Sequence, residues 1–224
     1  MDTLHEPPPA PEHSRPVFAR HAASLLLWRD GPAGIEVLMG QRGAGHRFMP
    51  NRLVFPGGAI DKRDGIAPAA TEPDPVTLAM LARNATPRLA RGLVFAAARE
   101  LEEETGLSLG TPPRLDRIAY LCRAVTPPRA HMRFNARFLV AQAGDAEGEP
   151  RDTHELEGVR FYPLEQAVTL DLMQVTRDVL LRLRNFLALS ETERRAREEL
   201  FVFKKRTWVP ENANRPPVAR TRTR

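Results

Sequence analysis

The feature that most constrains this chain is a predicted helix over residues 88–105, RLARGLVFAAARELEEET, which is rich in good helix formers. Gly106 follows it and is a natural helix stop. At about 100° per residue, Glu100, Glu103 and Glu104 share one face of this helix. Like charges three and four residues apart repel each other, and the helix dipole disfavours acids at this end. The acidic face is therefore destabilising unless something compensates its charge.

A divalent cation would compensate this charge, because carboxylate oxygens on adjacent turns are suitable ligands for Mg²⁺ or Mn²⁺. Waters and substrate phosphates would complete the coordination shell. Arg99 lies near Glu103 on the same helical wheel, so we expect it to pair with that carboxylate and fix its orientation. The alternative is an acidic helix face that contacts only solvent, which the charge run by itself favours.

Two strands joined by a turn are predicted before the helix, ASLLLWRD and GIEVLMGQR, with the turn at 30–34. The next β-rich run, RLVFPGGAID, is expected to end in a tight loop at Gly57 and Gly58. Residues 65–75 contain three prolines, and 76–85 are predicted to form a short helix. We interpret this stretch as an insertion.

Three further strands are predicted after the helix, in IAYLCRAV, MRFNARFLVAQ and EGVRFYPL. Two more helices follow, in LEQAVTL and MQVTRDVLLRLRNFLAL. The second has an apolar stripe at spacings of about 3.6, which indicates a side facing the core and consists of Val175, Val179, Leu183 and Phe186. We expect 224 residues with this element order to form one domain with tails rather than two full domains.

The composition excludes several protein classes. Hydrophobic residues make up 42% of the chain, which excludes wholesale disorder, and the apolar runs are far shorter than a membrane-spanning helix. The single cysteine, Cys122, excludes an internal disulfide, and we expect its thiol to be buried and unreactive. The amino-terminal residues are acidic and proline-rich, unlike a secretory or transit peptide, so the cytoplasm is the expected compartment.

The charge is carried mainly by arginine. The formal net charge is +5, and three of the 33 basic residues are lysines, so the other 30 are arginines. Many cations lie near the carboxyl end, which we interpret as a solvated tail because no nucleic-acid-binding motif accompanies them. The alternative is that arginines near a pocket bind phosphate.

The helix and the glycine pair together match a known signature. RELEEETGL at 99–107 has, at every fixed position, the residues of R-E-apolar-any-E-E-any-G-apolar, the second half of the Nudix signature. Five residues separate Gly58 from Asp64, where the first half of that signature has an acid, usually Glu. Between Asp64 and Arg99 lie 34 residues, whereas the usual signature has seven. The chain therefore resembles a Nudix hydrolase whose signature is split by an insertion over 65–91.

The resemblance extends to one branch of that family. QRGAGHRFMPNRLVFPGG spaces Arg42, Arg47 and Phe55 much as the coenzyme A diphosphatases do, although Gly43 and Asn51 depart from their pattern. TPPRAHMRFNARFLVA is similar to the strand that follows the signature in the peroxisomal members of this branch, which also carry an interrupted signature.

The resemblance implies an α/β fold, the Nudix α/β/α sandwich with a mixed sheet between helices. The Nudix hydrolase domain would span 17–190, with 65–91 inserted in the signature. Residues 1–16 are rich in proline and polar residues, so we expect them to form a mobile amino-terminal tail. A helical extension and a basic carboxy-terminal tail would occupy 191–224.

The resemblance also implies the site. Its principal metal ligands would be Glu103 and Glu104, with Glu100 as a further ligand or a group that orients water. A backbone carbonyl at Gly58, or at the adjacent Gly57, would be a further contact. Arg99 would orient the carboxylates, and Glu155 is preferred over Glu157 as an additional ligand or general base. Substrate phosphates would bind to arginines outside the helix, namely Arg42, Arg47 and Arg133.

The implied reaction is hydrolysis of a nucleoside diphosphate derivative with Mg²⁺ or Mn²⁺, most simply coenzyme A or acyl-coenzyme A. ADP-ribose or a nucleotide sugar is the alternative substrate class. A different class of protein, an inactive nucleotide- or RNA-binding Nudix relative, is the third hypothesis. The expected partner is a small nucleotide, not a membrane or nucleic acid, and the sequence leaves a homodimer open.

Overall fold

The computed structural model describes residues 17–43, 51–128 and 130–211. The strands are β1 (Arg20–Gly31), β2 (Gly34–Arg42), β3 (Leu53–Val54), β4 (Gly57–Ala59), β5 (Ala119–Val125), β6 (Phe134–Gln142), β7 (Leu156–Pro163), β8 (Phe201–Lys204) and β9 (Thr207–Pro210). The helices are α1 (Pro75–Ala82), α2 (Pro87–Thr105), α3 (Leu164–Ala167), α4 (Gln174–Leu187) and α5 (Glu191–Ala196). The predicted hairpin, the long helix and the three later strands are therefore present.

The strands form one mixed sheet in the order β3-β2-β1-β6-β5-β8-β9. β4 pairs with β1, and β7 pairs with β2. β1 runs parallel to β6 and β5 runs parallel to β8, whereas the other pairs are antiparallel. β1 thus has β6 on one side and shares its other side between β2 and β4.

Alternating side chains of β1 face two separate cores, because successive residues of a strand point to opposite faces of the sheet. Leu25 and Leu27 pack in the core that contains α1 and α2. Leu26 packs in the other core, against the predicted stripe of α4 with Val179 and Leu183. Helices therefore cover both faces, and the α/β sandwich with a mixed sheet is confirmed.

Helix α2 begins and ends where local chemistry requires it. The Thr86 hydroxyl accepts a hydrogen bond from the Leu89 amide at 3.3 Å, and Pro87 occupies the first turn, where its missing amide costs nothing. Gly106 closes the helix with a φ of 74°, in the left-handed region that favours glycine. These two ends fix the position along the sheet of the last two turns of α2, which carry Glu100 and Glu104.

The glycine pair differs from the prediction of a tight loop. Gly57 and Gly58 lie in β4 and pair with Ser24 and Ala23 of β1. A Cβ on Gly57 would lie 2.4 Å from the Ser24 hydroxyl oxygen and 2.5 Å from the Ala23 carbonyl oxygen. Glycine is needed here because two backbones approach closely. The prediction of a loop was wrong because a glycine pair is typical of turns, whereas here it forms a short strand.

Residues 65–91 leave the sheet after Asp64 and return at α2, and we call them the excursion. Helix α1 lies within it and packs Met80 and Leu81 into the core below α2. The ends of the excursion meet, because a Cβ on Gly92 would lie 3.1 Å from the Gly65 nitrogen.

The segment after residue 190 is helical only over α5, and β8 and β9 then extend the sheet beyond β5. The expected helical extension is thus largely a hairpin. Its turn residues, Lys205 and Arg206, have φ values of 52° and 63°, which long cationic side chains rarely adopt. The usual Asn-Gly or Asp-Gly signal of such a turn is absent, so no local pattern predicts this hairpin.

The expected amino-terminal tail at 1–16, and the tail from 212 onward, lie outside the described residues. Cys122 is buried in the sheet, as expected, and burial raises the pKa of its thiol. None of the helices that the structure describes is long and apolar enough to cross a membrane.

Candidate metal and catalytic site

Arg99 lies at the centre of a group of carboxylates on α2 and the β4 loop. Its Nη1 donates to Glu100 Oε1 and to Glu103 Oε2, both at 2.8 Å. Its Nε and Nη2 donate to the two carboxylate oxygens of Asp64, both at 3.1 Å. One guanidinium therefore fixes three carboxylates, and we call Arg99, Asp64, Glu100, Glu103 and Glu104 the acidic cluster.

Asp64 is 2% exposed, and its carboxylate also accepts the Asp61 amide at 2.8 Å. The sequence left its role open, because 34 residues separate it from Arg99. The structure brings the two together across the excursion. Asp64 thus belongs to the group that orients Arg99, although it was not among the predicted site residues.

Glu104 is the most deeply buried of the helix acids, at 1% exposure. Its Oε2 accepts the Gly57 amide at 2.6 Å. Burial raises the pKa of Glu104 to about 8, opposed by the Gly57 amide and the charge of Arg42 and reinforced by Glu100 and Glu155. The fold therefore holds a carboxylate where its negative charge is poorly compensated.

Glu100 packs directly on the second glycine of β4. A Cβ on Gly58 would lie 2.5 Å from the Glu100 carboxyl atoms, so only glycine leaves room for this side chain. Burial raises the pKa of Glu100, and the contact with Arg99 opposes that rise. Glu103, by contrast, is 55% exposed at its side chain and extends toward solvent.

The loop before β7 places Glu155 beside the helix acids. The Thr153 hydroxyl donates to the Glu104 carbonyl at 3.1 Å and accepts the Glu155 amide at 3.3 Å. Glu155 raises the pKa of both Glu100 and Glu104, so its charge faces them. Thr153 is a positioning residue that sequence reasoning missed, because a loop threonine carries no distinguishing pattern.

Glu157, the alternative to Glu155, lies in β7 in register with Gln41 of β2 and is exposed. The structure gives it no contact with the acidic cluster within the described ranges 17–43, 51–128 and 130–211.

The three predicted phosphate-binding arginines have different positions. Arg42 Nη2 donates to the Gly57 carbonyl at 3.2 Å, and its charge lowers the pKa of Glu104, so it borders the acidic cluster. Arg133 donates instead to the carbonyls of Val17 at 2.6 Å and Thr126 at 3.2 Å, at the start of β6. The structure therefore uses Arg133 to hold backbone and does not join it to the cluster. Arg47 lies outside the described residues.

The donor set fits a hard divalent cation by its chemistry. Glu100 and Glu104 are both buried carboxylates whose pKa values are raised by burial, and a nearby dication would reverse that effect. Among the described residues, no group of three or more His, Cys, Asp or Glu side chains is already arranged to hold a metal ion.

Part of the chain is similar to a known protein domain. Residues 93–183 match the family model of the NUDIX domain. A NUDIX hydrolase from Alicyclobacillus acidocaldarius has 27% sequence identity and a TM-score of 0.59, with 73% of this chain and 90% of that chain covered. The match thus includes the acidic helix and the strands that follow it.

Two further solved structures share the fold. A MutT NUDIX hydrolase from Burkholderia pseudomallei has 22% identity and a TM-score of 0.50, with 75% of this chain and 99% of that chain covered. The NUDIX domain of Shewanella oneidensis NrtR, complexed with ADP ribose, has 17% identity and a TM-score of 0.52, with 77% and 90% covered.

Nudix hydrolases generally use divalent metal ions, in agreement with the donor chemistry of the acidic cluster. The matched domain and its solved neighbours support a pyrophosphatase that acts on phosphorus-containing acid anhydrides. Residues 93–183 are therefore similar to the NUDIX domain, and the chain shares its fold with solved NUDIX hydrolases over about three quarters of its length.

Proposed function

We propose that this protein is a metal-dependent diphosphatase that cleaves the pyrophosphate bond of a nucleoside diphosphate derivative, with coenzyme A or acyl-coenzyme A as its substrate. The observation that carries the proposal is the acidic cluster itself, in which Arg99 orders Glu100 and Glu103 while Glu104 is buried beside Gly57. The substrate class rests on the sequence resemblance of the segment around Arg42 and of the strand after the helix.

Glu100, Glu103 and Glu104, with the Gly58 carbonyl, would hold Mg²⁺ or Mn²⁺. When bound, such an ion neutralises phosphate oxygens and lowers the pKa of a coordinated water. Arg99 keeps two of these carboxylates in fixed rotamers, and the Gly57 amide fixes the third. This preorganisation matters because carboxylates that must reorganise bind a cation more weakly.

Glu155 is proposed as the general base that accepts a proton from the attacking water. Water forms the new P–O bond, the bridging P–O bond of the anhydride breaks, and two phosphate monoesters leave. From coenzyme A these products would be 4′-phosphopantetheine and 3′,5′-ADP. Arg42 would bind a substrate phosphate, since its guanidinium already lies against the Gly57 carbonyl at 3.2 Å.

We further propose that 65–91 is an insertion within the Nudix signature. The contact between Gly65 and Gly92 supports this, because it brings residue 92 beside Asp64. Residues 92–98 then supply the seven positions that separate the acid from Arg99 in the usual signature.

Two other functions are kept as alternatives. Hydrolysis of ADP-ribose or a nucleotide sugar is favoured by the fold that this chain shares with the NrtR domain complexed with ADP ribose. A catalytically inactive nucleotide- or RNA-binding relative would have no need for four ordered carboxylates, so we rank it last. The proposed partner is a small nucleotide in the cytoplasm, and sedimentation would decide between a monomer and a homodimer.

The test compares coenzyme A, acetyl-coenzyme A, ADP-ribose and a nucleotide sugar as substrates, each with Mg²⁺ or Mn²⁺. We expect the coenzyme A substrates to be cleaved fastest, and products to be identified by mass spectrometry. Intact coenzyme A beside hydrolysed ADP-ribose would replace the first substrate class with the second. RNA binding without metal and without hydrolysis would support the inactive relative.

The role of Glu155 is tested by comparing it with Glu157, two residues further along the chain in β7. Glu155→Gln should lower kcat by about 10²- to 10⁴-fold, the usual contribution of a general base. Glu157→Gln is the matched control and should leave kcat near that of the parent protein. An equal loss of kcat in both variants, or no loss in either, would contradict the role of Glu155 as general base.

A further inference from the structure

Arg91 closes the excursion with hydrogen bonds from all three guanidinium nitrogens. Nε donates to Glu72 Oε2 at 2.7 Å, and Nη2 donates to Glu72 Oε1 at 2.8 Å. Nη2 also donates to the Ala67 carbonyl at 2.9 Å, and Nη1 donates to the Asp64 carbonyl at 3.3 Å. One side chain of α2 therefore binds both the first residues of the excursion and the residue just before it.

Asp64 is consequently held by two arginines of the same helix. Arg91 binds its backbone carbonyl, and Arg99, about two turns further along α2, binds its carboxylate through two nitrogens. The side chain of Asp64 is nearly inaccessible, at 3% exposure, whereas that of Arg91 is 19% exposed. The distance between the two arginines is fixed by the helix, so together they determine where Asp64 lies along it.

Two other anchors of the excursion lie away from Asp64. Asp74 caps the start of α1 and forms an ion pair with Arg195 of α5 at 2.8 Å. Thr71 donates to Asp116 at 2.6 Å. These contacts hold the middle of the excursion, and they provide a comparison for the contacts at its base.

We propose that Arg91, together with Glu72, is a positioning residue for the acidic cluster: it holds the base of the excursion closed, so that Asp64 meets Arg99 and Arg99 in turn orders Glu100 and Glu103. The inference rests on the proposed function, in which those two glutamates bind the metal ion. An uninterrupted signature connects its acid and its arginine through a short segment. In this chain, the covalent connection is long, and the Arg91 contacts supply the constraint instead.

The consequence is a change in turnover rather than in substrate binding. Without Arg91, Asp64 loses a backbone contact, and Arg99 loses part of the support that holds its guanidinium between Glu100 and Glu103. Substrate phosphates are proposed to bind Arg42, which lies on β2 and makes no contact with the excursion among the described residues. The KM should therefore change less than kcat.

The experiment uses the full chain with Arg91→Met, Arg91→Lys and Glu72→Gln, and Arg195→Met as the matched control. Arg91→Met should lower kcat about tenfold, as expected for residues that orient metal ligands, with KM within about twofold of the parent value. Arg91→Lys should recover part of the loss, and Glu72→Gln should have the smallest effect of these three variants because it leaves the carbonyl contacts intact. Arg195→Met removes an excursion contact that does not reach Asp64, so its kcat should stay near the parent value.

Hydrogen exchange supplies a readout that does not depend on activity. Amides of 59–66 should exchange faster in Arg91→Met than in the parent protein or in Arg195→Met. Equal losses of kcat in Arg91→Met and Arg195→Met, or unchanged exchange at 59–66, would overturn the inference. Inactivity of the parent on every substrate would instead contradict the proposed function, and the exchange result would still decide whether Arg91 holds Asp64.

Discussion

Two buried polar clusters of this protein differ in how their charges are compensated. In the acidic cluster, Arg99 contacts three carboxylates, and burial raises the pKa of the fourth, Glu104, to about 8. In a second group, the carboxy-terminal cluster, the carboxylate of Glu211 accepts hydrogen bonds from Asn84 at 2.8 Å, from Tyr120 at 3.0 Å and from Arg123. The acidic cluster has more carboxylates than cations, whereas in the carboxy-terminal cluster both carboxylate oxygens of Glu211 accept hydrogen bonds.

The difference separates a structural cluster from the cluster that we propose is functional. The carboxy-terminal cluster joins β5, the loop after α1 and the residue that follows β9, so its complete hydrogen bonding contributes to the fold. In the acidic cluster, burial disfavours the ionised forms of Glu100 and Glu104, which costs stability and which a bound cation would offset. The clusters should therefore respond in opposite ways to loss of a carboxylate.

The largest effect is expected in the carboxy-terminal cluster. Glu211→Gln leaves Arg123, which is 13% exposed, without its carboxylate, and an unpaired buried charge costs about 3–5 kcal/mol. The Tm should fall by about 10 °C, measured by calorimetry, while kcat of the folded protein stays near the parent value. Glu199→Gln, at an exposed position, is the control. An unchanged Tm would mean that the contacts of Glu211 contribute little.

The opposite result is expected for Glu104→Gln. The amide oxygen can still accept the Gly57 hydrogen bond, and the buried side chain at position 104 no longer ionises, so the Tm of the metal-free protein should not fall. Loss of a metal ligand should lower kcat by about 100-fold. Steady-state kinetics and calorimetry on the same preparation measure both. Full activity would refute the assignment of Glu104 as a ligand.

The smallest effect concerns pH, and it arises beside the carboxy-terminal cluster. Arg137 donates to His21 Nδ1 at 3.0 Å, which requires that nitrogen to be an unprotonated acceptor. Burial, then Arg137 and Arg123, lower the pKa of His21 to about 4. The neutral form of His21 therefore stabilises the folded protein. This contribution is fully present above a pH of about 6.5, the pKa of His21 in the unfolded chain, and is lost as the pH falls through about 4. The Tm of His21→Gln should fall less steeply over that interval; identical slopes would exclude this contribution.

Local patterns were sufficient to predict α2, the β1–β2 hairpin and the stripe of α4, because each depends on residues that are close in sequence. Helical spacing likewise anticipated that Arg99 would meet Glu103. The fold class followed from the resemblance to the Nudix signature, with which the order of these elements is compatible.

Features that depend on distant partners were not predicted. Gly57 resembles a turn residue until β1 is beside it, and Asp64 finds Arg99 only after the excursion is folded. Glu211 is one of many acids in the sequence, and nothing near it indicates that Asn84, Tyr120 and Arg123 will surround it. Loop positions such as Thr153 carry no periodicity, so their role emerges only from the folded backbone.

The contact between Gly65 and Gly92 makes the excursion a side branch of the chain. Because the two ends of the excursion touch, its length does not affect the positions of the carboxylates in the acidic cluster, provided that Arg91 or an equivalent residue holds the two ends together. Homologous or designed proteins could thus exchange this segment for one of another size, and so alter what surrounds the reaction centre without rebuilding it.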